Sequence, residues 1–198
     1  MGGIIARVPG RPLVISDHRS DWPGRFRIVA ASLREQLGHE ALRIDHIGST
    51  AVGGLAAKDL IDVQVTVRSL ADADQWDDEL IAGLVRGADI IGDHVPAGAP
   101  ADPREWAKRY WSDRRSVHVH VREEGRLNQR YALLFRDYLR ADACAAEAYG
   151  ELKRALASAA SGDWTMYYAV KDPACDLIIA AAEQWAARVG WDAPRSDA

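Results

Sequence analysis

The chain predicts an α/β protein, a mixed sheet flanked by helices and followed by a helical carboxyl-terminal region. Three observations lead there. Residues 41–47 and 60–67 are short runs of strand-forming residues around a Gly-Ser turn, residues 117–122 alternate valine with polar side chains, and from Leu127 onward apolar positions recur at helical spacing. With 198 residues, 48% of them hydrophobic, the chain can bury one sizeable core. We therefore expect a single domain over 1–198, with a core at about 20–125 and a helical part at about 126–190.

Taken in order, residues 1–16 hold a short apolar run without a continuous signal-peptide core, and no later stretch approaches the roughly 20 apolar residues of a membrane span. Trp22, Phe26, Val29, Leu33 and Leu37 are spaced as one helix face, predicting a helix over 23–37 that Gly38 ends. The first two strands follow. Residues 69–85 then read as a helix capped by Ser69, with acids in its first turns. Residues 87–103, rich in Gly, Pro and Ala, read as a mobile loop over a cleft. Beyond the strand at 117–122, helices are expected at about 127–141, 143–160 and 172–189, with a break at Ser161-Gly162 and a frayed tail, DAPRSDA.

The chemistry concentrates in IDHIGSTAVGGLAAKDLIDVQVTV, Ile44 to Val67. Gly48 permits close approach of a ligand, and Ser49 and Thr50 offer hydroxyls and amides to an anion. Asp62 lies inside a strand, where a carboxylate must be paired, hydrogen-bonded or metal-bound. Period-two alternation puts Asp62, Gln64 and Thr66 on one face, and His118 and His120 share a face of the later strand. Those faces read as a cleft wall, or, for the histidines, as a solvated strand face.

This segment resembles the GrpB family of predicted nucleotidyltransferases, whose hallmark runs approximately HIGSTAVPGLAAKPIID. The resemblance extends through Trp22-Pro23, VHVHVR at 117–122, LFRDYLR at 134–140, YGELK at 149–153 and Lys171. It implies a polymerase-β-like nucleotidyltransferase fold and a cleft for an NTP. Gly53 and Asp59 stand where the hallmark has proline, and Asp59 beside Lys58 would partly neutralise that lysine. Such enzymes carry two carboxylates two residues apart and a third on a later strand; here Asp62 is followed by Gln64, and the later strand offers His118 and His120.

Two accounts of that substitution stay open. In one, a single Mg²⁺ or Mn²⁺ is held by Asp62 and the nucleotide phosphates, with His46, His118 or His120 as acid or base. In the other, Asp62, His118 and His120 form a two-histidine, one-carboxylate site suited to Zn²⁺, Mn²⁺ or Fe²⁺. The resemblance assigns phosphate contacts to Gly48, Ser49, Thr50 and Lys58. Arg136 and Arg140, one helical turn apart, would clamp phosphates or lie on a solvated face, and Lys153 and Lys171 are further candidates. Trp106, Tyr110 and Trp111 would stack on a base or pack the loop onto the sheet.

The net charge of −4 argues against an extended nucleic-acid partner and favours a small-molecule acceptor. Cys144 and Cys175 lack disulfide or metal spacing, in keeping with a reducing cytoplasm. The leading expectation is transfer of a nucleoside monophosphate from an NTP to that acceptor. Alternatives are a metal-dependent enzyme of another reaction class, or a noncatalytic nucleotide- or partner-binding module. Nothing in the chain speaks to its oligomeric state.

Overall fold

A computed structural model describes residues 13–80 and 83–198. The amino-terminal run considered above lies, through residue 12, outside the described residues. Helix α1 (Trp22–Leu37) starts with Pro23 in its first turn, where a missing N–H costs nothing, and Gly38 stops it at φ 52°. Its apolar stripe packs Trp22, Phe26, Ala30, Leu33 and Leu37 onto the sheet.

Six strands form that sheet: β1 (Arg43–Ile47), β2 (Ile61–Val67), β3 (Glu79–Leu80), β4 (Leu84–Arg86), β5 (Arg109–Ser112) and β6 (Val117–Glu123). Their spatial order is β1-β2-β6-β5-β4-β3. β2 and β6 run parallel, and the other neighbours pair antiparallel. Alternation then sorts the side chains. Ile61, Val63, Val65, Val119, Val121 and Trp111 face α1, with Leu70 and Ala73 of the short α2 (Leu70–Ala73) closing the same core. On the opposite face the register sets Asp62 beside His118, Gln64 beside His120, and Tyr110 beside His120.

A helical layer covers this polar face. After the one-turn α3 (Pro103–Trp106), which precedes β5, α4 (Leu127–Ala141), α5 (Ala143–Ala160) and α6 (Trp164–Val189) pack on one another through Leu134, Tyr149, Cys175, Ile179 and their neighbours. Asp142 and Asp163 cap α5 and α6 with side-chain hydrogen bonds to their first-turn amides. Among the described residues no helix is long and apolar enough to cross a membrane.

The structure departs from the sequence expectation in four places. The helix expected over 69–85 ends at Ala73, because Asp74 turns away to bind Arg86 (2.6 Å) and Arg109 (2.5 Å), and the chain continues as the β3–β4 hairpin. β5 occupies a stretch assigned no element. The last helix begins at Trp164, accommodating Pro173 within it. The tail is docked along the free edge of β1: Ser196 Oγ accepts from the Ile44 amide at 2.9 Å, Asp197 from the His46 amide at 2.9 Å, and the Ala198 amide donates to the Ile44 carbonyl at 3.1 Å.

Candidate functional site

Between the polar face of the sheet and the helical layer lies a cavity of about 260 Å³. Asp62 stands at its floor. His118 Nδ1 lies 3.6 Å and His120 Nε2 3.5 Å from the same oxygen, Asp62 Oδ1. The three residues can each offer one ligand atom, all within 4.8 Å of one another. The β1–β2 connection closes over the carboxylate: Gly48 has φ 70°, and a β-carbon there would meet Asp62 Oδ2 at 2.5 Å. Only glycine lets the turn sit so near.

The electrostatics leave Asp62 ionised and His120 neutral. Burial, reinforced by Lys108, pushes the His120 pKa down to about 4. Burial also pushes Asp62 upward, but the His120 contact and the charges of His118 and Lys58 outweigh it and hold Asp62 at about 2.

Behind His120 lies a polar cluster that the sequence did not single out. Lys108 Nζ is 3.4 Å from His120 Nδ1 and donates to Asp93 Oδ1 at 2.7 Å. Asp93 also accepts from Arg122 at 2.8 Å and from Asn128 at 3.0 Å, so its carboxyl lies well below the usual range despite burial. Arg122 in turn donates to Gln64 Oε1 at 2.6 Å, and Gln64 Nε2 donates to the Gln129 carbonyl. Gln64 is thus wholly engaged away from Asp62. The segment 87–103, expected to be a mobile loop over the cleft, borders the cavity through Gly92, Asp93 and His94 and is anchored by Asp93 at one point and by Asp176 at another, the latter meeting His94 Nε2 at 2.9 Å and the Ala97 amide at 3.1 Å.

The sequence-derived candidates divide clearly. Gly48, Ser49, Thr50, Lys58, Asp62, His118, His120 and Lys171 all line the cavity, and Lys153 joins them. Thr50 is committed to structure, donating to the Leu60 carbonyl at 3.0 Å. Lys58 donates to Tyr168 Oη at 3.0 Å, whereas Asp59 points elsewhere, to Arg19, Arg25 and the Trp22 indole, and does not neutralise it.

His46 lies on the α1 face of β1, stacked on Phe26 at 4.7 Å and 3.1 Å from Thr50 Oγ1. Burial lowers its pKa to about 4. The structure does not bring Arg136 or Arg140 to the cavity. Arg136 is fully buried among the His46 carbonyl, Asp137 and Asp197, and Arg140 holds the Ala51 carbonyl. Trp106 reaches the cavity rim, Tyr110 packs edge-on against both site histidines at 5.4 Å, and Trp111 belongs to the core. Asp93 and Lys108 gave no sequence signal beyond being isolated charges. The one usable cue was the alternation of Lys108, Tyr110 and Ser112 toward a single face.

A parallel strand pair that presents an acid and two histidines beneath a Gly-Ser turn, roofed by helices, defines an α/β protein with a carboxylate–imidazole cluster in a cavity between sheet and helices. The chain belongs to the GrpB family: the family described as GrpB protein matches residues 12–181. A solved structure of the conserved protein GrpB from Enterococcus faecalis is similar at 29% identity and TM-score 0.71, covering 87% of this chain and 99% of that one. A UPF0157 protein of Streptomyces coelicolor is 34% identical over 84% of this chain and 80% of its own length. A dephospho-CoA kinase of Mycolicibacterium paratuberculosis is 39% identical over 94% of this chain but only 49% of that protein. The chain thus spans about half the length of the dephospho-CoA kinases it matches.

Proposed function

We propose that this protein is a transferase acting on a nucleotide, moving a nucleoside monophosphate from an NTP to a small-molecule acceptor, with Asp62, His118 and His120 at the reacting centre. The observation that carries this reading is the contact between the Gly48 turn and Asp62, which sets the anion-binding backbone against the ionised carboxylate inside one cavity. The names of the longer relatives, dephospho-CoA kinase, supply a phosphoryl-transfer context. The chain has no G-x-x-x-x-G-K-[ST] stretch, so phosphate binding falls to the Gly48-Ser49 turn and the lysines. A cavity of about 260 Å³ takes the phosphate end of a nucleotide rather than all of it.

The donor set does not suit a pair of Mg²⁺ ions, since Gln64 replaces the second acid and is already bound by Arg122 and Gln129. Two imidazoles and one carboxylate do suit a single transition ion. Asp62, His118 and His120 would hold Mn²⁺, Fe²⁺ or Zn²⁺, and the ion would supply Lewis-acid polarisation of a phosphoryl oxygen. Ser49 and Lys58 orient the phosphates, and Tyr168 fixes Lys58. The same ligand set also supports a transition-metal enzyme of another reaction class, which is the second reading.

The test is thermal stability of metal-stripped protein with each NTP, with and without Mg²⁺, Mn²⁺ or Zn²⁺, in wild type and Asp62→Asn. Saturation at 100 times Kd stabilises by about 2.7 kcal/mol. A metal-dependent shift with an NTP that disappears in Asp62→Asn is expected. A shift with metal alone favours the second reading, and no shift under any condition defeats both.

A further inference from the structure

We infer that the end of the cavity beneath α5 and α6 is a dianion subsite, where Lys153, with Ser49, Lys58 and Lys171, takes a terminal phosphoryl group directly and without a bridging metal. The inference deepens the proposed function by naming what part of the ligand goes where and how it is held.

Lys153 is the reason. It projects from α5 and is only 2% exposed, yet among the described residues no carboxylate pairs with it or with Lys58. Its amine donates to Ser49 Oγ at 2.8 Å and to the Ala56 carbonyl, and it stands 4.4 Å over the Tyr149 ring. Those partners are dipoles, not charges. A buried ammonium without an anion is costly, and here it faces a cavity. The cavity wall as a whole carries five Lys or Arg side chains against three aspartates. Of these acids Asp93 is taken by Lys108 and Arg122, and Asp172 lies 3.7 Å from Lys171. The excess of two positive charges matches a phosphate dianion.

The surroundings of Lys153 add a thermodynamic signature. Burial lowers its pKa to about 7, assisted by Lys171 and Lys58 and by Arg154 on its own helix; Cys175 acts in the opposite sense, and the Tyr149 ring lies below. A dianion arriving beside the amine favours its charged form. At pH 8, where the ligand is already a dianion, binding therefore takes up a proton, whereas at pH 6 the amine is already charged and the uptake gives way to release of the ligand's own proton.

The experiment is calorimetric titration of EDTA-treated protein with inorganic phosphate, pyrophosphate and ADP at pH 6 and pH 8, in buffers of different ionisation enthalpy. Wild type, Lys153→Met, Lys153→Arg and Asp62→Asn are compared, with urea unfolding confirming that each variant is folded. We expect saturable metal-free binding of at least one ligand, weakened tenfold or more in Lys153→Met, with proton uptake at pH 8 that Lys153→Arg abolishes. If ADP binds in this Lys153-dependent way and the inorganic ions do not, the phosphoryl group belongs to a nucleotide and the subsite stands. Asp62→Asn should retain this binding, so failure of the metal-dependent reading and failure of the subsite are separable. No saturable binding, or equal affinity in wild type and Lys153→Met, overturns the subsite.

Discussion

Gly48 and Asp62 are packed so closely that a β-carbon on residue 48 would fall 2.5 Å from the Asp62 carboxylate. The backbone there, at φ 70° and ψ −172°, also belongs to a region that only glycine enters readily. Gly48→Ala should therefore cost about 1–3 kcal/mol of stability and displace the turn from Asp62. Urea unfolding measures the first effect, and nucleotide or phosphate binding by the folded fraction measures the second. Full binding in the alanine variant would show that the contact is incidental.

Lys108 faces His120 as a cation where a metal-binding histidine ordinarily has an acceptor for its second N–H. Donating to Nδ1, it favours the proton on Nε2, toward Asp62. Removing that ammonium in Lys108→Met should tighten Zn²⁺ or Mn²⁺ binding by about tenfold, read by competition with a chelating dye. The same change leaves Asp93 with Arg122 and Asn128, so the protein loses stability while gaining metal affinity. Unchanged or weaker metal binding would contradict this role for Lys108.

Asp197 gives the buried Arg136 a partner at 2.8 Å and at the same time accepts from the His46 amide. Asp137 remains beside Arg136, so Asp197→Asn should cost about 1–3 kcal/mol rather than unfold the protein. Deleting residues 196–198 goes further and bares the edge of β1. Light scattering across a concentration series should then show association beyond that of the full chain.

His46 supplies a pH dependence of its own. Its folded pKa of about 4 lies below the unfolded value near 6.5, so between those limits the unfolded chain binds a proton that the folded chain refuses. Stability falls as pH drops through that window, with a slope of about 1.4 kcal/mol per pH unit from this group. His46→Gln, which keeps a donor for Thr50, should flatten the curve by one proton's worth. Denaturant midpoints at half-unit pH steps provide the comparison.

Much of the site was legible because it obeys local periodicity. Alternation alone put Asp62 and Gln64 on one face and His118 and His120 on another, and the parallel register of β2 and β6 merged the two. Helices α1, α4 and α5 followed their apolar spacing for the same reason. What escaped depends on partners distant in the chain. The acids after Ser69 look like a helix start, but Asp74 serves Arg86 and Arg109. Arg136 shares a helical stripe with Arg140, yet its charge is spent on a tail that reads as frayed. Asp93 and Lys108 are single charged residues whose meaning arises only when separate elements close around one cavity.

The parallel pairing of β2 with β6 carries one more consequence. Asp62 emerges early in synthesis, and the histidines that complete its setting arrive only after the hairpin, the tied-down segment and β5 have been made. A slip of one residue between those two strands would send both imidazoles to the side of α1. The Asp62, His118 and His120 cluster is therefore indivisible: a fragment ending before β6 inherits the glycine turn and the aspartate but neither imidazole, and an assembled cluster serves as a report that the long excursion between the two strands has closed in register.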